Sequence, residues 1–159
     1  MHAVEANKVD SILVLREFHE VNWNSKDHLG FSVAMIAVKN LHLDILEILL
    51  TMPDIEMNSF NKAGKGIAEI AIECTRKADF NGKAGPESSD KIKCIEMLSK
   101  DTRVDWNNKN ENGETPVVRI LKENQVEIGK ILLQTPGVDL DITDKDGLTL
   151  EQIARYVST

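Results

Sequence analysis

The sequence predicts an all-α-leaning repeat solenoid, and three observations carry that prediction. Glycines at positions 30, 64, 113 and 147 each stand three residues after an Asp or Asn, at spacings of 34, 49 and 34 residues. After each glycine the chain enters short apolar segments of helical rather than strand rhythm. The apolar content of 42% is mostly aliphatic, with aromatics at only 4%, which suits helix-on-helix packing.

Further columns fix the register of the recurrence. The Asp or Asn three before each glycine is Asp27, Asn61, Asn110 or Asp144. Six residues before the glycine comes Asn24, Asn58, Asn107 or Asp141, preceded by a large apolar side chain, Trp23, Met57, Trp106 or Leu140. Asn, Asp and Gly tolerate positive φ and bond their own backbone, so this stretch is a turn. Ser32, Thr115 and Thr149 follow the glycine by two and can cap a first helix. Pro116 then takes the first helical position, where its missing N–H costs nothing. Seven past the glycine, Ala37, Ala71, Ile120 or Ala154 lets two helices approach. A second helix carries an apolar face: Leu43, Ile45, Leu46, Ile48, Leu49 and Leu50 in one copy, Val126, Ile128, Ile131, Leu132 and Leu133 in another.

On these residues the chain resembles the ankyrin repeat, a unit of about 33 residues with the signature Thr-Pro-Leu-His-x-Ala. Gly113-Glu-Thr-Pro-Val-Val is the best match, Ala34–Leu50 carries the two-helix part, and the resemblance runs from Val9 to Arg155. It implies β-turn/hairpin plus helix-turn-helix units stacked in a curved array. Thr-Pro is kept only in the third unit; Ser32-Val33, Gly66-Ile67 and Thr149-Leu150 replace it elsewhere, and the family's His is absent. The glycine that separates the helices in the family is Leu41 in the first unit and Asn124 in the third. A left-handed backbone disfavours leucine, so the turn at Leu41 is expected to be strained or distorted.

In chain order, residues 1–159 read as one domain. Residues 1–20 are a capping half-unit whose Val9, Ile12, Leu13 and Leu15 are expected to cover the open end of the stack. Residues 21–54 form the first full unit. In the second, 55–103, helices at about Gly66–Cys74 and Lys91–Leu98 are separated by an insertion at about 75–90, with Ser89 or Asp90 ready to cap the next helix. Closing such a loop costs roughly 1–2 kcal/mol. It reads either as a tolerated insertion or as a contact element anchored by Phe80. Residues 104–137 are the third unit, and 138–159 a truncated last one: either a natural end or the edge of a longer array.

The formal charge of −7 and pI near 5.1 argue against nucleic acid, which needs clustered Lys and Arg. No apolar run approaches the ~18 residues that span a bilayer. Two cysteines and no secretory leader point to a cytoplasmic or nuclear setting. Neither a metal nor a cofactor is expected: His2, His19, His28 and His42 lack ligand spacing, and Gly64-Lys65-Gly66 lacks the rest of a phosphate loop. Cys94 aligns with Ile45 and Ile128 as a core residue, whereas Cys74 is expected to be more reachable. Trp23 and Trp106 share a column and are read as filling between units. No catalytic constellation is visible.

The resemblance implies a non-enzymatic protein–protein interaction module, monomeric, that grips a partner protein through the turn tips and first helices of its concave face. Carried onto this sequence, that row gives His28, Leu29, Phe31, Lys39 and Asn40 in the first unit. It gives Phe60, Lys62, Lys65 and Glu73 in the second, and Glu111, Asn112, Glu114 and Lys122 in the third. Phe31 and Phe60, with Leu29, form its exposed apolar part and are the expected hot spot. Two alternatives stay open. The array could be a spacer or docking domain of a larger protein. It could also be a substrate, because Asn24, Asn58 and Asn107 resemble ankyrin turn asparagines modified by an asparaginyl hydroxylase.

Overall fold

The computed structural model describes residues 1–18, 20–74 and 89–157. Among these the chain is all-helical: α1 (His2–Glu5), α2 (Val9–Arg16), α3 (Val33–Lys39), α4 (Leu43–Leu50), α5 (Ile67–Cys74), α6 (Ser89–Ser99), α7 (Pro116–Lys122), α8 (Val126–Gln134) and α9 (Leu150–Val157). Extended pairing among them is confined to two isolated bridges, Lys26 with Ser32 and Thr143 with Thr149. No helix among them is long and apolar enough to cross a membrane. Of the insertion expected at about 75–90, residues 75–88, Phe80 included, lie outside the described residues, whereas Ser89 and Asp90 belong to α6.

No helix among the described residues exceeds 11 residues, and isolated helices below about 12–15 residues are marginal in water. Packing between neighbours therefore holds them. Consecutive helices pair as α1 with α2, α3 with α4, α5 with α6 and α7 with α8. The odd helices touch in the order α1, α3, α5, α7, α9, and the even ones in the order α2, α4, α6, α8. Ile45, Leu46 and Leu49 of α4, Ile95 and Leu98 of α6, and Ile128 and Leu132 of α8 are fully buried. Each such side chain contributes about 1.5–3 kcal/mol of transfer free energy.

The turn that joins a helix pair recurs in detail at three of the four pairs. Asn7, Leu41 and Asn124 all lie in the left-handed region, at φ of 50, 56 and 53°. The following N–H groups of Lys8, His42 and Gln125 donate to the carbonyls of Ala3, Ala37 and Ile120, which ties off each first helix. At Leu41 the strained backbone expected from the sequence is present, but the turn keeps the same geometry as its asparagine copies.

Several sequence expectations need correction. In α2 only Ile12 is fully buried; Leu13 and Leu15 are exposed, beside exposed Val14 and Phe18. This helix packs on α1 and α4, contacts that use one narrow stripe. In α8, Val126 and Leu133 are exposed because they stand seven residues apart on the side opposite Ile128 and Leu132. Met57 and Trp106 are buried and Trp23 half-buried, whereas Leu140 and Ala154 are exposed. The buried members have helices on both sides, and α9 is the last in its row. Ser32 caps α3 through Met35 N–H, and Thr149 caps α9 reciprocally with Gln152. Thr115 has cap-like backbone angles, but its hydroxyl makes no cap bond; its carbonyl takes the Arg119 N–H instead. Cys74 is buried, its thiol donating to the Lys39 carbonyl at 3.2 Å, so it is not the reachable cysteine expected.

Candidate interaction face

Each first helix is entered through the same turn, built four times from a short polar side chain. The Oδ1 of Asp27 accepts from Leu29 and Phe31 N–H, that of Asn61 from Ala63 and Lys65. Asn110 does the same for Asn112 and Glu114, and Asp144 for Asp146 and Leu148. A glycine with φ between 71 and 83° closes each of the four turns. At Gly30 space also demands glycine: a Cβ would lie 2.8 Å from the Lys62 nitrogen. That close approach lets Lys62 N–H donate to the Leu29 carbonyl at 2.9 Å, joining two adjacent tips.

After Gly30, Gly64 and Gly113, the residue one past the glycine meets a residue eight further along the chain. Lys39 Nζ sits 4.7 Å from the Phe31 ring centroid. Lys65 pairs with Glu73, and Lys122 Nζ lies 3.0 Å from Glu114. The same spacing thus carries one contact at three tips, with the chemistry changed each time.

The expected site residues gather into two adjoining grooves. The first, about 480 Å³, is lined by Leu29, Phe31, Lys39, Lys62, Lys65, Ile70, Glu73 and their neighbours. The second, about 200 Å³, takes in Phe60, Lys65, Glu69, Glu73, Glu111, Asn112, Glu114 and Arg119. Lys65 and Glu73 form the wall between them. His28 is exposed at its tip, Asn40 ends α3, and Lys122 points to Glu114 and Asp144, so these three line neither groove. Leu29 and Phe60 are exposed at 48% and 46%. Phe31, expected to be open, is half-buried against the core beneath Lys39.

Sequence reasoning overlooked the residue that separates the grooves chemically. Six past the glycine stand Ile36, Ile70, Arg119 and Ile153, all buried. Ile70 gives the first groove an apolar floor. In the second groove that column holds Arg119, which pairs with Glu69 and lies 3.2 Å from Glu123 and 3.8 Å from Glu73. A lone arginine in an isoleucine column was the available signal. Beyond the face, Lys122 Nζ is 2.8 Å from Asp144, whose carboxyl it holds below the usual carboxylate range. In the core, burial and the neighbouring Cys74 push the Cys94 thiol up to about 12, so it stays protonated.

Asn24, Asn58 and Asn107 form a second ladder away from these grooves. Their amide nitrogens donate to the carbonyls of Asp54, Arg103 and Gly137 at 2.8, 2.6 and 2.8 Å. Their Oδ1 atoms accept from the N–H of Glu56, Asp105 and Asp139. No protein-family model matches this chain, and no curated protein matches it in sequence.

Proposed function

We propose that the chain is an ankyrin-type repeat array, a stacked solenoid that acts as a non-enzymatic protein-binding module of the cytoplasm or nucleus. Its partner protein docks across the turn tips and odd-numbered helices. The observation that carries this reading is the fourfold turn, in which Asp27, Asn61, Asn110 and Asp144 bond equivalent pairs of amides. A turn repeated at this fidelity, with odd helices in one row, favours a continuous face of projecting tips over a single enclosed centre. Lys65, Arg119 and Lys122 of that face are paired with Glu73, Glu69 and Glu114, which fits an ordered surface better than reactive groups.

The test uses the tagged full chain as bait, with mass spectrometry of what it retains. Leu29→Ser/Phe60→Ser is expected to lose a protein that the wild type captures, with unchanged circular dichroism. Leu13→Ser/Phe18→Ser, which alters the exposed side of α2, is expected to keep it. The opposite pattern would move the interface to α2 and end the reading of this face.

A further inference from the structure

We propose that the first groove takes an acidic segment of a partner protein, with an aliphatic or aromatic side chain seated between flanking carboxylates. This rests on the reading of the face as an interaction surface and adds the chemistry of what it binds. The lining supplies the apolar part: buried Ile70 together with Leu29, Phe31 and Ala63. The groove's volume of about 480 Å³ falls in the range that holds one or two large side chains.

Charge supplies the rest. In a chain of net charge −7, this rim collects Lys39, Lys62 and Lys65, and Lys26 stands at the same pair of tips with its Nζ 3.3 Å from the Phe60 carbonyl. Among the described residues Lys65 is paired with Glu73, while Lys26, Lys39 and Lys62 have no carboxylate within 4 Å. Lys39 and Lys62 beside an apolar floor, with Lys26 at the neighbouring tip, complement carboxylates around an apolar side chain. A nucleic-acid strand fits less well, because its continued path meets Glu69, Glu111 and Glu114 of the second groove. A second copy of this acidic chain would bring the same apolar tips and the same lysines against one another.

Three fluorescein-labelled probes separate these cases by anisotropy at about 50 mM salt: an acidic 12-residue peptide with central Phe-Leu, the same peptide with every acid changed to Lys, and a 12-nucleotide oligothymidylate. The acidic peptide is expected to bind saturably, at least about 10-fold more tightly than either other probe. Lys39→Glu/Lys62→Glu is expected to weaken it at least about 10-fold, and about 0.5 M salt to erase most of that difference. Changing the central Phe-Leu to Ser-Ser is expected to weaken binding at least about 10-fold at an unchanged salt slope. Equal or tighter binding of the oligonucleotide or basic peptide overturns the proposal. So do an unaffected charge-reversal variant, indifference to the Ser-Ser change, no saturation by about 1 mM, or sedimentation showing that the first groove is covered by a second copy. If the acidic peptide fails while Leu29→Ser/Phe60→Ser still abolishes capture of a cellular protein, the acidic assignment alone falls. If both fail, the interaction reading falls with it.

Discussion

Asn58 is an exposed side chain whose amide nitrogen and oxygen both bond to backbone. It donates to the Arg103 carbonyl at 2.6 Å and accepts from Asp105 N–H at 2.8 Å, bridging residues 45 and 47 positions away. Asn24 and Asn107 repeat that arrangement across 30 and 32 positions. Each bond is worth about 0.5–1.5 kcal/mol net, so Asn58→Ala is expected to lose about 1–2 kcal/mol by urea denaturation. Asn58→Asp keeps the acceptor but sets a carboxylate against the Arg103 carbonyl, and is expected to lose at least as much. An unchanged midpoint in both variants would mean that water replaces these bonds without cost. The sequence marks the asparagine column, yet not its partners, because those are backbone atoms of another unit and carry no residue signature. Leu41 is the converse case. Its φ of 56° was foreseeable from the asparagine and glycine preference at that turn, because left-handed sterics depend on the residue itself.

At the scale of elements, α5 and α7 are joined by charge as well as by packing. Arg119 of α7 is buried among Ile-column neighbours, its side chain 6% exposed, and it pairs with Glu69 of α5, itself 13% exposed. Removing one member of a buried pair strands the other, at a typical cost of about 3–5 kcal/mol. Arg119→Ala is therefore expected to destabilise the chain by about that amount, since Glu69 and Glu73 lose their shared cation. Glu69→Ala/Arg119→Ala is expected to lose less than the sum of the single variants, by about 1–3 kcal/mol. Strict additivity in urea titrations would show the two side chains to be independent. The helices themselves were legible because their caps and apolar stripes are local. Val126, Leu133, Leu13 and Leu15 were misplaced because aliphatic stretches with several candidate faces do not say which one a neighbour covers. The Cys74 thiol was misjudged for a related reason: its burial depends on the Lys39 carbonyl of the preceding unit.

Across the whole molecule, helices pack mainly on those one or two places away in the chain, so order along the sequence largely becomes order in space. That is why the run of short helices was legible from the recurring turns, and why devices that occur once were not. Arg103 is such a device: Glu20, Asp54 and Gly137 fill its place in the other units. Its guanidinium donates to the carbonyls of Leu50, Met52 and Pro53 at 3.0, 2.8 and 3.2 Å, closing the C-terminal end of α4 from the next unit. Asp101 aims it, with hydrogen bonds of 2.6 to 3.2 Å. The hydrogen bond from Arg103 holds the Asp101 carboxyl below its ordinary 3.8, and Lys122 does the same for Asp144. A carboxyl depressed in the folded state stabilises fully above its unfolded value, and that contribution disappears as pH falls through the folded one. Asp101→Asn/Asp144→Asn removes both charges, and Asn already serves the equivalent turn at Asn61 and Asn110. The stability gap between wild type and this variant is expected to be constant from pH 7 down to about 5, to narrow below about 4, and to close at lower pH. Urea titrations at pH 7, 5, 3.5 and 2.5 measure it; a gap as wide at pH 2.5 as at pH 7 would mean that neither carboxylate stabilises the fold through its charge.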